Sequence, residues 1–84
     1  MLLDVIAVKA TSDYRLIITF EDGQKRHFDM EPYIDQPPWN RLQQQQFFTQ
    51  AYVQHGTVAW PGNIDIDPET LYELSQPVAQ QAEA

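Results

Sequence analysis

Residues 14–20 limit the fold of this chain more than any other segment. Apolar side chains stand there at every second position, namely Tyr14, Leu16, Ile18 and Phe20, and this period places them on one face of a β-strand. A bare sheet cannot hide such a face from water, so a second layer must cover it. The segment therefore predicts a sheet that is packed on one side.

Two further strands are predicted beside this one. Residues 4–10 are rich in β-branched side chains and end at a turn sequence, and residues 24–30 follow a loop at 21–23. Strands joined by such short loops pair as antiparallel neighbours. Residues 4–30 are therefore predicted to form a three-stranded antiparallel meander.

The register of the meander decides the length of its second loop. A two-residue turn would set the apolar face of one strand against the polar face of the next. A three-residue loop with Gly23 in the left-handed conformation instead pairs Leu16 with Phe28 and Tyr14 with Met30. Since a shift of one residue exchanges the two faces of a strand, burial favours the three-residue loop.

The segment after the meander predicts a crossover and a helix. Residues 31–38 contain three prolines and indicate an irregular connection, whereas residues 42–49 contain neither Gly nor Pro and favour a helix that begins at Trp39. Phe48 lies six residues beyond Leu42, which is outside a continuous apolar stripe. The helix is therefore predicted to be short or frayed.

A second hairpin is predicted over residues 51–60. A two-residue His55-Gly56 turn, in which Gly56 supplies a positive φ, pairs Val53 with Val58 and places Trp60 on the apolar face. We expect Trp60 to lie in the core.

The last element has the clearest local signature. Asp67 is predicted to cap a helix whose first residue is Pro68, where a missing N–H is tolerated. Ile66 and Leu71 lie on either side of this cap and form a hydrophobic staple. The inner face of the helix is predicted to consist of Leu71, Tyr72 and Leu74.

Together these elements predict one α+β domain over residues 1–76, in the order β-β-β-α-β-β-α. An antiparallel sheet, made of the N-terminal meander and the C-terminal hairpin, is covered by two short helices. Residues 77–84 are small and polar and predict a flexible C-terminal tail. A chain of 84 residues has room for one core and no second.

The charge and the cysteine content exclude several classes of function. Five Lys and Arg face twelve Asp and Glu, a formal net charge of −7, so clustered cations for nucleic acid are lacking and anionic membranes repel the chain. The sequence has no cysteine, no apolar run of about 20 residues and no recognisable secretion signal. We expect a cytoplasmic protein that binds no nucleic acid or membrane directly, and opposite charge favours encounter with a basic partner.

Four residues near the last helix carry oxygen ligands at alternate positions, namely Asn63, Asp65, Asp67 and Glu69. Calcium or magnesium would accept such ligands, but the central glycine and the twelfth-position Glu of an EF-hand are missing. Capping by Asp67 and the helix dipole beside Glu69 explain these two residues without a metal. We therefore expect no metal and no cofactor.

Histidine is a common general acid or base in enzymes, and the chain has two histidines. His27 is placed on the polar face of its strand beside Asp29, and His55 lies in a turn. General acid–base catalysis requires a cleft and a hydrogen-bonded substrate, so we expect no catalytic residue and no enzyme. The alternative is a small-molecule or metal-binding domain, or an enzyme, that uses His27 with the loop from Asp65 to Glu69.

Aromatic residues are the better guide to a binding surface. Four of them are expected to remain partly exposed, and these candidate partner-binding residues are Trp39, Phe47, Tyr52 and Tyr33. Exposed aromatic side chains that lie together mark interfaces. They predict contact with a protein partner or a second copy of the chain.

Residues 58–73 include Trp60-Pro61, Asp67-Pro68-Glu69 and Leu71-Tyr72. This run resembles the C-terminal part of a small bacterial family, domain of unknown function 2442. The resemblance extends over about residues 4–76, although the family usually has Asn-Gly where this chain has Gly62-Asn63.

The resemblance implies a small α+β domain with no assigned activity and no catalytic residues. Some members are encoded beside another small protein in a toxin–antitoxin-like arrangement, which implies a partner from a neighbouring gene. The sequence as a whole predicts an acidic, non-enzymatic protein-interaction module.

Overall fold

The alternating segments form strands in two separate antiparallel sheets. The structure is a computed structural model that describes residues 3–78. Its strands are β1 (Val5–Ala10), β2 (Arg15–Phe20), β3 (Lys25–Asp29), β4 (Tyr52–Gln54), β5 (Thr57–Trp60), β6 (Ile64–Ile66) and β7 (Gln76–Pro77). The helices are α1 (Gln45–Phe48) and α2 (Pro68–Leu74), with 3-10 helices at Glu31–Tyr33 and Trp39–Leu42.

The first sheet has the strand order β1-β2-β3-β7. Leu16 pairs with Phe28 across β2 and β3, and Gly23 has a φ of +92° in the loop between them. The predicted three-residue loop and its register are therefore confirmed. A β-bulge between Val5 and Ala7 interrupts the ladder of β1 with β2.

The second sheet has the strand order β4-β5-β6. Val53 pairs with Val58, and His55 and Gly56 both have positive φ angles, of +53° and +76°. These observations confirm the predicted hairpin. The sequence analysis missed β6, which pairs with β5 after the turn at residues 61–63.

The predicted helix from Trp39 is broken in the middle. A 3-10 helix ends at Leu42 and α1 begins at Gln45, because Gln44 is extended (φ −80°, ψ +124°). Leu42 and Phe48 are both fully buried. Residues six apart cannot share one face of a straight helix, so the break allows both side chains to reach the core.

The core lies between the sheets, α1 and α2, and its largest fully buried side chain is Trp60. Asp67 caps α2 as predicted, since its carboxylate accepts the backbone N–H of Thr70 at 3.2 Å. Leu71 is fully buried, but the predicted inward position of Leu74 is wrong, because this residue is 50% exposed. It is the last residue of α2, and the chain turns away at Ser75, which is buried.

The chain after α2 returns to the first sheet. Gln76 and Pro77 pair with β3, and the backbone N–H of Val78 donates to Lys25 at 2.9 Å. The predicted boundary between domain and tail thus falls within β7, and the rest of the predicted tail, residues 79–84, lies outside the described residues. None of the helices in residues 3–78 has the length and apolar character needed to cross a membrane.

Candidate partner-binding surface

Two of the four candidate aromatic residues lie side by side. Tyr33 ends the 3-10 helix that follows β3, and its ring stacks on Phe28 with the centroids 5.8 Å apart. Trp39 packs edge-on against Tyr33 at 6.5 Å, and its indole N–H donates to the backbone oxygen of Asp65 at 3.3 Å. Both rings are half-buried, so each presents part of its surface to solvent.

The other two candidates lie apart from this pair. Phe47 is half-buried on α1 and packs against the core, and Tyr52 is 40% exposed on β4. Among the described residues neither ring pairs with another aromatic ring. The structure therefore brings together Tyr33 and Trp39, and it leaves Phe47 and Tyr52 separate.

A small cavity opens beneath Tyr33 and Trp39. Its volume is about 60 Å³, about twice the 30 Å³ that a water molecule occupies in the liquid. Only apolar atoms face the cavity, which we call the aromatic pocket and which is lined by Phe28, Met30, Tyr33, Trp39, Ile66 and Thr70. Pockets for metabolites usually measure about 300–1,000 Å³, so the size suits a single small apolar group.

The segments that form most of this pocket carry only negative charge. Residues 30–40 and 64–74 contain no Lys, Arg or His. Their exposed carboxylates, which we call the acidic rim, are Glu31, Asp35, Asp65, Asp67, Glu69 and Glu73. Half of the twelve acidic residues of the chain are therefore in the two segments that supply five of the six residues lining the pocket.

His27 lies on the opposite face of its strand from the aromatic pocket. It pairs with Ile17 and Gln76 across the sheet, and the neighbouring Phe28 points inward to the pocket. Because successive residues of a strand face opposite sides, His27 is not brought together with the loop at residues 65–69. Within residues 3–78 the structure contains no group of three or more His, Asp or Glu side chains placed to hold a metal ion.

The surface also contains residues that were not among the candidate partner-binding residues. Met30, Ile66 and Thr70 line the aromatic pocket, but they come from three different segments. The sequence pattern of each separate strand or helix does not indicate that these three segments meet at one pocket. Met30 was predicted on the apolar face of the meander and Ile66 in the hydrophobic staple with Leu71, and neither prediction placed the two residues together.

The family model described as protein of unknown function (DUF2442) matches residues 5–77. The chain belongs to this family. The match confirms the family resemblance of the sequence over almost the same residues. No curated protein and no solved structure matches the chain.

Proposed function

We propose that this member of the family is a non-enzymatic interaction domain that binds a basic segment of a partner protein. The aromatic pocket with its acidic rim supports this proposal more than any other feature. An apolar side chain of the partner enters the pocket, and Lys or Arg residues on either side of it face the rim. The toxin–antitoxin-like arrangement implied by the resemblance makes the cytoplasmic product of a neighbouring gene the proposed partner.

The pocket favours an aliphatic group because it offers no hydrogen bonds. A cavity with apolar walls holds water poorly, so a methyl or methylene group gains free energy when it replaces solvent there. A volume of about 60 Å³ accommodates about two such groups, and each contributes about 0.8 kcal/mol on burial. The pocket is therefore an anchor within a larger contact.

The rim adds charge selectivity. The two segments carry six carboxylates and no cation of their own, and Arg26 of β3 lies over the ring of Tyr72 on α2. The excess of negative charge attracts a basic segment and repels an acidic one, and such complementarity raises the rate of encounter and discriminates between partners. Both effects are screened by salt, since the Debye length is about 8 Å at physiological ionic strength. Binding is therefore expected to weaken as salt is added.

A selection from a phage-displayed library of random peptides on the full chain tests this proposal. The enriched peptides are expected to combine Lys or Arg with Leu, Ile or Val. The Thr70→Met variant fills the pocket yet keeps the backbone N–H that Asp67 accepts. We expect these peptides to bind it about tenfold more weakly, because about 1.6 kcal/mol of burial is lost.

Tyr52→Ser is the matched control, since Tyr52 is exposed on the other sheet and its hydroxyl contacts only Gln54 within the described residues. This variant is expected to bind the peptides as the parent does. Enrichment of acidic peptides, or equal binding to the parent and to Thr70→Met, would show that the aromatic pocket is not the docking site.

A further inference from the structure

Few opposite charges are paired in the described part of the chain. Within residues 3–78 one ion pair is formed, between Arg15 and Asp13 at 3.9 Å. The carboxylates of the acidic rim therefore make no ion pair with a described Lys or Arg. Of the other four cations, Arg26 donates to Ser75 and lies over the ring of Tyr72, and Arg41 donates to the backbone oxygen of Gly62. Lys9 and Lys25 make no ion pair or side-chain hydrogen bond within the described residues and are available for contacts with another molecule.

Most of the cations lie on the outer face of the first sheet. Lys9 pairs with Ile17, and Ile17 pairs with His27. Lys25, two residues before His27 on β3, pairs with Thr19. Cross-strand partners point to the same side of a sheet. We call this surface the cationic sheet face, and its basic side chains are Lys9, Arg15, Lys25 and His27.

The acidic groups near this face are few. Asp29 stands opposite Arg15, and its carboxylate accepts the backbone N–H of Glu31 at 3.0 Å, while Asp13 contacts Arg15 from the preceding turn. β1 and β2 contain no Asp or Glu. Three permanent cations thus face two carboxylates, and Lys9 and Lys25 have no acidic partner among the described residues.

An apolar side chain lies at the centre of these cations. Ile17 is half-buried between Lys9 on one neighbouring strand and His27 on the other. The surface therefore combines an aliphatic group with basic neighbours. This is the chemistry that the aromatic pocket and its acidic rim are proposed to bind.

We propose that the cationic sheet face of one copy of the chain binds the acidic rim of a second copy. The inference rests on the proposed function because it uses the same acidic rim. When the basic partner is absent, a second copy of the chain occupies this rim. Both complementary surfaces belong to this chain. Because they are different surfaces, the contact is head-to-tail.

Net charge opposes this contact only at long range. Two copies of charge −7 repel each other, but at about 0.15 M salt the Debye length of about 8 Å screens that repulsion, while charges in direct contact are screened less. The expected association is weak and is lost near 1 M salt, where the Debye length falls to about 3 Å. A basic partner that binds the rim competes with it.

Charge reversal gives a direct test by sedimentation velocity. One variant carries Lys9→Glu and Lys25→Glu, which removes the cationic face and keeps the rim. The other carries Glu31→Lys and Asp35→Lys, which reverses part of the rim and keeps the face. All four side chains are exposed, so far-UV circular dichroism is expected to show the parent fold in both.

Each variant alone is expected to be monomeric at about 0.15 M salt and sub-millimolar concentration, whereas the parent self-associates. A mixture of the two variants restores one complementary pair and is expected to form a one-to-one dimer, at least about tenfold tighter than either variant alone. A monomeric mixture, or unchanged association of both variants, would overturn the proposal. If either double variant fails to fold, the neutral changes Lys25→Gln and Glu31→Gln are each expected to weaken parent association about threefold.

The two proposals can fail separately. The Lys9→Glu, Lys25→Glu variant retains the aromatic pocket, so it is expected to bind the selected basic peptides even when it no longer self-associates. Peptide binding without dimerisation in the mixture would remove only the self-association. If the mixture dimerises but the peptides bind Thr70→Met as tightly as the parent, only the proposed peptide-binding function is refuted.

Discussion

The two tryptophans offer a direct comparison of a buried and an exposed hydrogen bond. The indole N–H of Trp60, which is fully buried, donates to the backbone oxygen of Phe48 at 2.7 Å. In Trp60→Phe the ring is smaller and the Phe48 carbonyl loses this donor, while both residues are fully buried. The variant therefore tests how much this single contact between α1 and the second sheet stabilises the fold.

The expected cost of Trp60→Phe has two parts. Leaving a buried carbonyl without a donor costs about 1–3 kcal/mol, and the lost burial of about two carbon atoms costs about 1.6 kcal/mol more. The sum is about 3–5 kcal/mol. A protein of this size has a total free energy of unfolding of about 4–13 kcal/mol, so the variant is expected to lose a large part of its stability.

Trp39→Phe is the matched control. Its indole N–H donates to the Asp65 carbonyl at 3.3 Å, but the ring is half-buried and the bond is exposed. Water replaces the lost donor, so we expect a cost of about 1 kcal/mol or less. Urea unfolding followed by far-UV circular dichroism, with unchanged m-values, measures both. If Trp60→Phe costs no more than Trp39→Phe, the hydrogen bond to Phe48 does not stabilise the core as argued.

Two further predictions concern turns. The Asp22 carboxylate accepts hydrogen bonds from the side chain and backbone of Gln24, at 2.7 and 3.0 Å, and these lower the pKa of Asp22 below its ordinary value of 3.8. A carboxyl whose pKa is lower in the folded state than in the unfolded state stabilises the protein above the unfolded pKa, and this stabilisation is lost as the pH falls through the folded pKa. The free energy of unfolding of Asp22→Asn should therefore fall less steeply than that of the parent between about pH 5 and pH 3. Parallel curves for the two proteins would contradict this. Gly56→Ala and Gly23→Ala both place a side chain at positive φ, at a cost of about 1–2 kcal/mol each. A Cβ at Gly56 would also lie 2.6 Å from the Asp4 carboxylate, whereas a Cβ at Gly23 has no neighbour within 4 Å. Thermal melting should show the larger loss for Gly56→Ala, and equal losses would mean that Asp4 moves aside freely.

The sequence analysis succeeded where the signal is local. The loop at Gly23 was predicted because only one register buries both apolar faces, and the helix cap at Asp67 was predicted because the residues that form it are adjacent. It failed for Leu74, whose spacing from Leu71 suits an inner helix face. Helical spacing does not reveal that α2 ends at this residue and that the next residue, the extended Ser75, is the buried one.

The sequence by itself determined the first five strands, their register within each hairpin and the capped last helix, because these depend on alternation, turn residues and contacts between near neighbours. Only the tertiary structure decided that the strands divide into two sheets, and that Tyr33 and Trp39 meet at a pocket with Ile66. It also decided that Lys9, Arg15 and Lys25, which are far apart in the sequence, share one face of the first sheet. Such groupings join residues far apart in the chain, and their distances are set by packing, which no local pattern encodes.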